Sequence, residues 1–273
     1  MSDSNKPLNR QDKKRLEHQR GQGSGKAYIP FVQVGEFSGS GESIRVKSST
    51  VGRLHHFHSG IELAAFLIFD RSSNITDIRE QFPLPLSSSL TICEQLGIKH
   101  PQVKGELYIV STDLLLDCKN NTSIAIAVKP AAQLNDKRVL EKLQIEKAYW
   151  ENKGVKWYIF TEYERPSELK MNLQWLRSFL DADTSIDYEI SDEDVQTLIS
   201  RLSNSSTKKI TKRCGELDDE YHLSPGFHIE IFRFAIANNF IKADLRQQYI
   251  NWKVEDLIFV GHEKNKGALG HVS

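Results

Sequence analysis

Apolar and polar residues alternate along the chain in patterns that predict both helices and strands. Residues 61–69 are apolar apart from Glu62, which is typical of a buried helix. Over residues 75–84, the positions Ile78, Glu80 and Phe82 instead alternate with their neighbours, as in a strand with one solvated face. The first part of the chain is therefore expected to mix the two kinds of element.

The same patterning continues to residue 161 and predicts one compact mixed α/β unit. Serines begin a short helix that Gly97 ends, and Asn120-Asn121 form a turn between two apolar strands. The second strand stops at Pro130, which cannot donate a hydrogen bond to a neighbouring strand. The further predicted elements are a helix at 87–96, strands at 111–117 and 124–129, an amphipathic helix at 137–153 and a buried strand at 156–161.

The pattern changes after Glu164-Arg165-Pro166, where we place a domain boundary. Helices followed by a small β-ribbon are typical of a winged-helix module, which binds either duplex DNA or protein. We thus expect one domain at 1–165 and a winged-helix-like domain at 166–273. The second domain has predicted helices at 168–180, 192–202, 207–220 and 225–238, an acidic connector at 181–194, and β-leaning stretches at 240–245 and 257–260.

Length and composition favour two soluble domains. The chain has 273 residues, 39% of them hydrophobic and 26% charged, and single cores rarely grow beyond roughly 250 residues. The mean hydropathy is −0.45, and no run approaches the roughly 20 apolar residues of a membrane-spanning helix. The polar, lysine-rich start lacks the apolar core of a secretory signal. We therefore expect a cytoplasmic protein without membrane contact.

Charge is balanced overall, since 36 Lys and Arg residues face 36 Asp and Glu residues. A net charge of zero gives no general argument for nucleic-acid binding, but residues 1–26 carry seven basic and three acidic residues. This basic N-terminal arm either follows a phosphate backbone or is a solvated, disordered tail. Residues 20–26 are rich in glycine but lack the strand and helix of a phosphate-binding loop, so we expect a flexible segment there.

Three isolated charges in apolar segments are the candidates for chemistry: Glu62, Asp113 and Lys129. Asp113 and Lys129 lie on neighbouring predicted strands, so a carboxylate and an ammonium group would meet at one end of the sheet. Carboxylates hold a hard divalent cation and a lysine offsets charge at phosphorus, as in metal-dependent phosphodiesterases. The structural alternative is an ion pair between Lys129 and Asp113 that only closes the sheet.

Cysteines and histidines give little support to a zinc site. The cysteines are odd in number and far apart, which predicts reduced, structural thiols. The crowded histidines lack structural-zinc spacing and nearby cysteines, so packing or contact with a substrate phosphate explains them better. These residues are Cys93, Cys118, Cys214, His55, His56 and His58.

Several blocks of the sequence together resemble the TnsA endonuclease subunits of heteromeric bacterial transposons. The resemblance runs from Gly21 to about Trp175, and the blocks stand in the order of that family. It implies an α/β core like that of the restriction endonucleases, with a mixed sheet. The blocks are Gly52-Arg53-Leu54-His55-His56, the helix with Glu62, the run from Asp77 to Leu84, Gly97-Ile98-Lys99-His100-Pro101, Ser111-Thr112-Asp113 and Val128-Lys129-Pro130-Ala131-Ala132.

By this resemblance, Glu62 and Asp113 are metal-binding carboxylates and Lys129 is the catalytic lysine. The main-chain carbonyl of Val128 is implied as a further ligand, and the metal as one or two Mg²⁺ ions, with Mn²⁺ as a substitute. Ala127 departs from the pattern, which has a polar Glu or Gln two residues before the lysine. Since Mg²⁺ keeps several water ligands, a water can replace the absent side chain.

The function implied by the resemblance is a DNA endonuclease that cuts the strand ending 5′ at each transposon end. The implied partners are the transposon-end DNA, a TnsB-like transposase that cuts the other strand, and a TnsC-like AAA ATPase that docks on the C-terminal module. Two alternatives stay open. One is a catalytically idle assembly subunit, which Ala127 would favour, and the other is an autonomous restriction-like nuclease.

Overall fold

Two compact units make up the chain in the computed structural model, Met1–Arg165 (unit 1) and Pro166–Ser273 (unit 2). The structure describes residues 6–36, 43–48, 50–180, 190–202 and 207–260. Most of the predicted acidic connector lies outside the described residues. Within the described ranges, no helix is long and apolar enough to cross a membrane.

Unit 1 contains four helices and eight strands among its described residues. The predicted helices at 61–69, 87–96 and 137–153 are confirmed, as are the three strands at 75–84, 111–117 and 124–129. In chain order the elements are α1 (Arg10–Glu17), β1 (Ile44–Lys47), β2 (Leu54–Phe57), α2 (Gly60–Asp70), β3 (Ile75–Pro83), α3 (Leu86–Leu96), β4 (Gln102–Val103), β5 (Glu106–Leu107), β6 (Ser111–Cys118), β7 (Ser123–Val128), α4 (Lys137–Asn152) and β8 (Lys156–Phe160).

A four-stranded mixed sheet forms the centre of unit 1, in the order β3-β6-β7-β8. β3 pairs antiparallel with β6, and β6 pairs antiparallel with β7 through the predicted turn, where Asn121 has a φ of +59°. β8 runs parallel to β7. A parallel pair needs a crossover connection, and α4 supplies it. The mixed α/β character predicted from the sequence is therefore confirmed.

Both faces of this sheet are covered, because successive side chains of a strand point to opposite faces. Leu115 on β6 shares a buried cluster with Cys93 of α3 and Trp150 of α4. Leu114 and Leu116 point to the other face and are fully buried as well. α2 lies against β3 and β7. Each fully buried leucine favours folding by about 1.5–3 kcal/mol, so this core holds β6 firmly in place.

Strand β8 is not the buried strand that was predicted. Lys156 and Tyr158 are exposed, with 51% of Tyr158 accessible to solvent, and Phe160 is buried. Trp157 packs against the core cluster that α4 lines. The aromatic residues suggested burial on both sides, but β8 is an edge strand with one covered face.

The basic N-terminal arm is not a disordered tail over its described residues. Asn9 caps α1 by accepting a hydrogen bond from Asp12 N at 3.0 Å. Asp12 is buried and accepts a second hydrogen bond from Ile109 N at 2.7 Å. Arg15 pairs with Asp12 at 2.6 Å and with Glu36 at 2.9 Å. Internal ion pairs therefore use part of the basic charge, and the alternative of a disordered tail does not hold for these residues.

The glycine-rich segment that follows α1 is packed against β3. Gly25 N donates to Asp77 Oδ2 at 2.7 Å, and Gly21 N donates to Ile29 O at 2.7 Å. Gly21 has a φ of +77°, and a Cβ there would lie 2.2 Å from Pro83 Cγ. Both the backbone conformation and the close approach require glycine at this position. The prediction of a flexible segment is wrong.

Glu80 on β3 is also not on a solvated face. The side chain is 1% exposed, and its carboxylate accepts from Arg53 Nη1 at 2.8 Å and contacts His55 Nδ1 at 2.9 Å. Burial alone would raise the pKa of Glu80, but His55 and Arg53 together lower it to about 2. The alternation of apolar and polar residues predicted a solvated position for Glu80. The side chain is buried instead, because the buried guanidinium of Arg53 neutralises its charge.

Unit 2 contains four helices and a short antiparallel ribbon among its described residues, and the four predicted helices are confirmed. Trp252 is 1% exposed, and Trp175 stacks on Tyr249 with ring centroids 4.0 Å apart. The ribbon strands have two residues each, much shorter than the predicted β-leaning stretches. The elements are α5 (Ser167–Leu180), α6 (Asp192–Leu202), α7 (Ile210–Glu220), α8 (Phe227–Ala237), β9 (Ile241–Lys242) and β10 (Ile258–Phe259).

Candidate active site

Asp113 and Lys129 meet because β6 and β7 run antiparallel. Asp113 is the third residue of β6, and Lys129 directly follows the last residue of β7, so both lie at the same end of the sheet. Lys129 N donates to Phe160 O at 3.0 Å, which holds this residue beside β8. Pro130 lacks an N–H group and ends the pairing there.

The Asp113 carboxylate is 9% exposed and accepts hydrogen bonds at both oxygens. Oδ2 accepts from Val128 N at 2.7 Å and from Lys129 Nζ at 2.8 Å, and Oδ1 accepts from Gln81 Nε2 at 3.2 Å. Lys129 Nζ also donates to the Val128 carbonyl at 2.8 Å. Burial alone would lower the pKa of Lys129, but the neighbouring Asp113 raises it. The ammonium group therefore stays charged.

Glu62 enters the same region from the first turn of α2. Its carboxylate accepts from His58 N at 3.0 Å and from Ser59 Oγ at 3.0 Å, and Ser59 Oγ caps the helix by accepting from Glu62 N. Burial, and then repulsion from Asp113, raise the pKa of Glu62 to about 7. Glu62 thus has hydrogen-bond partners at the start of its own helix, and the charge of Asp113 acts on it.

The chemistry of the predicted ligands fits a hard cation. Two carboxylates and the Val128 carbonyl are oxygen donors, and Mg²⁺ is usually held by one or two carboxylates together with water. The raised pKa of Glu62 partly reflects repulsion between two carboxylates, which a cation would relieve. Across the described ranges, no group of three or more His, Cys, Asp or Glu side chains could hold a metal ion. A site here would rely on two carboxylates and a carbonyl.

In the part of the chain that the structure describes, the crowded histidines belong to no group of three or more ligating side chains. His55 contacts Glu80, and His56 Nδ1 accepts a hydrogen bond from Val34 N at 3.4 Å. Burial lowers the pKa of His56 and of His58. Both rings are therefore uncharged at neutral pH, which suits packing beside the site.

A third carboxylate near the site, Glu146 on α4, was missed in the sequence. It is 4% exposed, and Trp157 Nε1 donates to its Oε1 at 3.0 Å. Burial, and then repulsion from Asp113, raise the pKa of Glu146 to about 7. A signal was present, because Leu143 and Trp150 stand three residues before and four residues after it on the apolar face of the helix.

Ala127 is fully buried on β7 and pairs with Ile159 of β8. Ala125, Ala127 and Lys129 share one face of the strand, since side chains alternate. Ala125 belongs to the apolar core cluster on that face. Where the family pattern has a polar side chain, this chain therefore has the buried methyl group of Ala127, two residues before Lys129.

Both units match families of known proteins. Residues 72–162 match the family model described as TnsA-like endonuclease N terminal, and residues 166–245 match the one described as TnsA endonuclease C terminal. The chain is similar to the Transposon Tn7 transposition protein TnsA of Escherichia coli, with 39% identity over 246 residues, which is 89% of this chain and 89% of that protein. Asp113 and Lys129 lie within the first matched segment, and Glu62 precedes it.

Proposed function

The chain belongs to the TnsA endonuclease family, and on that premise we propose that it is a DNA-cutting subunit of a transposition complex. The observation that carries this proposal is the convergence of Asp113, Lys129 and the Val128 carbonyl at one end of the sheet. The proposed substrate is the DNA of transposon ends, and the proposed partner is a TnsB-like transposase.

We assign the carboxylates of Glu62 and Asp113 and the carbonyl of Val128 as donors to one or two Mg²⁺ ions, for which Mn²⁺ can substitute. When bound, the cation would lower the pKa of an attacking water and offset charge on the scissile phosphate. The carboxylate of Asp113 is held in one orientation, because Val128 N and Lys129 Nζ both donate to it. Glu62 approaches from the helix and adds the second negative charge.

Lys129 supplies a positive charge that remains at the site. Its ammonium group donates to Asp113 Oδ2 and to Val128 O, two of the proposed donor atoms. A lysine side chain has a flexible stem and a compact charge, so it can turn to a phosphate oxygen or to the attacking water. There it would stabilise charge that develops in the transition state.

We further propose that this subunit cuts the strand ending 5′ while the transposase cuts the other strand. The order and directions of the four central strands support a restriction-endonuclease-like core in unit 1. Four helices and a ribbon support a winged-helix-like unit 2 that docks a TnsC-like ATPase. A net charge of zero fits a weak autonomous DNA binder that a partner recruits to its substrate.

A strand-cleavage assay on a labelled transposon-end duplex, with the transposase and Mg²⁺, tests the proposal. Asp113→Asn and Lys129→Ala should each reduce cutting of the 5′ strand by roughly 10²–10³-fold, as for other losses of one electrostatic contact at a reacting centre. The matched control is Asp117→Asn on the same strand, which pairs with Arg79 at 2.6 Å at the opposite end of the sheet. That variant should cut at the wild-type rate.

The other outcomes are equally informative. Wild-type cutting by Asp113→Asn would overturn the assigned site. Assembly of the wild-type complex on DNA without any cutting of the 5′ strand would support the idle-subunit alternative, which the buried Ala127 favours. Cutting by the chain alone at its own preferred sequences would support an autonomous nuclease.

A further inference from the structure

Gln81 has a backbone conformation that strand residues do not normally adopt. It lies within β3, yet its φ is +49°, in the left-handed region where residues other than glycine are uncommon. Glu80 pairs with Leu114 and Phe82 with Thr112, so the register of β3 and β6 places Gln81 opposite Asp113. Such a conformation costs free energy and persists only where the surrounding contacts impose it.

Those contacts reach both the main chain and the side chain of Gln81, which is 8% exposed. Gln81 Nε2 donates to Asp113 Oδ1 at 3.2 Å, and Gln81 Oε1 accepts from Ser111 Oγ at 2.9 Å. Its main-chain oxygen accepts from Phe31 N at 3.3 Å. The orientation of the amide follows from chemistry, because an ionised carboxylate only accepts hydrogen bonds and the amide nitrogen must face it.

The Asp113 carboxylate is therefore held at both of its oxygens. Val128 N and Lys129 Nζ donate to Oδ2, and Gln81 donates to Oδ1. Donors on both oxygens fix the rotation of the carboxylate plane, whereas donors on Oδ2 alone would leave it free to swing. Outer partners of this kind orient the ligands of metal sites and raise their affinity.

We propose that Gln81 is a positioning residue of the endonuclease site, and this inference rests on the proposed role of Asp113. The left-handed conformation of Gln81 aims its amide at Asp113 Oδ1 and fixes the carboxylate in the orientation that the cation requires. Residues held in such conformations cluster at active sites. Glycine would adopt the same φ without strain, so the side chain explains why a glutamine stands there.

Gln81→Gly removes the side-chain amide that contacts Asp113. It also relaxes the backbone, because glycine adopts a positive φ without strain. The full-length variant should bind Mn²⁺ about 10- to 100-fold more weakly, measured from the electron paramagnetic resonance signal of free Mn²⁺. It should also need more Mg²⁺ for half-maximal cutting in the assembled complex. Its thermal midpoint should stay close to that of the wild type, since relief of strain offsets the lost hydrogen bonds.

Asn121→Gly is the matched control for backbone relaxation. Asn121 also has a positive φ, +59°, but it lies in the β6–β7 turn at the opposite end of the sheet. This variant should bind Mn²⁺ as the wild type does. Gln81→Met gives a second test at nearly constant size, because it removes the donor without adding a charge. It should weaken Mn²⁺ binding about as much as Gln81→Gly.

Wild-type Mn²⁺ affinity in both Gln81 variants would overturn the inference. An equal loss in Asn121→Gly would overturn it too, because backbone relaxation would then explain the effect. If Gln81→Gly folds poorly, Gln81→Met decides the question alone. Asp113→Asn distinguishes failure of the inference from failure of the proposed function: if this variant binds Mn²⁺ as tightly as the wild type, the role assigned to Asp113 is wrong.

Discussion

Replacing Glu62 by glutamine should stabilise unit 1 while it removes function. The pKa of Glu62 is raised from 4.5 to about 7, and each unit corresponds to 1.36 kcal/mol. Keeping this carboxylate ionised at pH 8 therefore costs about 3 kcal/mol at most. Glutamine would lose one of the two hydrogen bonds from His58 N and Ser59 Oγ, at about 1 kcal/mol. The expected net gain is about 1–2 kcal/mol without divalent cations.

The pH dependence of this gain has a definite sign. Folded Glu62 binds its proton at a higher pH than the unfolded chain does, so folding is penalised above pH 7, where the carboxylate must ionise. The penalty falls as the pH drops from about 7 towards 4.5, since the folded protein is then already protonated. The advantage of Glu62→Gln should be largest at pH 8 and should disappear near about pH 5.

Cysteine labelling measures this effect in each unit separately. Cys93 is 3% exposed in the core of unit 1, and Cys214 is fully buried in unit 2. Each thiol reacts only when its own unit opens. A gain of 1–2 kcal/mol should slow the labelling of Cys93 about 5- to 30-fold in the Glu62→Gln variant. Cys214 should react at an unchanged rate and serves as the internal control.

Divalent cations should reverse the order of stability. Mg²⁺ that binds only the folded state should slow the labelling of Cys93 in the wild type and have little effect on Glu62→Gln. Faster labelling of Cys93 in the variant at pH 8 without Mg²⁺ would refute the reasoning. It would mean that Glu62 serves mainly as a helix cap and that its charge carries no penalty.

Two further substitutions in unit 1 should each destabilise it. Glu80→Gln should destabilise the unit by about 3–5 kcal/mol, because it leaves the buried Arg53 guanidinium without a counter-charge. That contribution is present above pH 4.5 and is lost as the pH falls towards 2, so urea unfolding of variant and wild type should converge in acid. Gly21→Ala should lower the thermal midpoint by several degrees, through a positive φ and a clash with Pro83. Gly97→Ala, whose site is equally left-handed but open, isolates the conformational part, and an equal loss in both variants would show that the clash is absent.

Local patterns were sufficient for most regular elements and for the contact between Asp113 and Lys129. The helix at Glu62 and the strands on either side of Asn120-Asn121 follow from apolar periodicity and turn residues. Two adjacent strands joined by a tight turn must run antiparallel, which places Asp113 and Lys129 at the same end. This part of the site was therefore accessible from the sequence.

Other features depend on partners that are distant in the sequence. Glu80 is buried because Arg53 and His55, which are distant in sequence, bind its carboxylate. The helix α1 is held in place because Asp12 accepts a hydrogen bond from Ile109 N. No local sequence pattern indicates these contacts. The contact of Gln81 with Asp113 depends on a left-handed backbone conformation inside a strand, which apolar alternation does not reveal.

The bond from Ile109 N to Asp12 joins the start of the chain to the residues just ahead of β6. Leu107 adds to this junction, since its carbonyl oxygen accepts from Asn9 N at 2.9 Å. Removing the residues ahead of the glycine-rich segment at 20–26 would keep every residue assigned to catalysis. It would, however, leave the amide of Ile109 without its acceptor, Asp12. A shortened protein that keeps the fold of unit 1 should therefore still include α1, because Asp12 of this helix binds the segment ahead of β6.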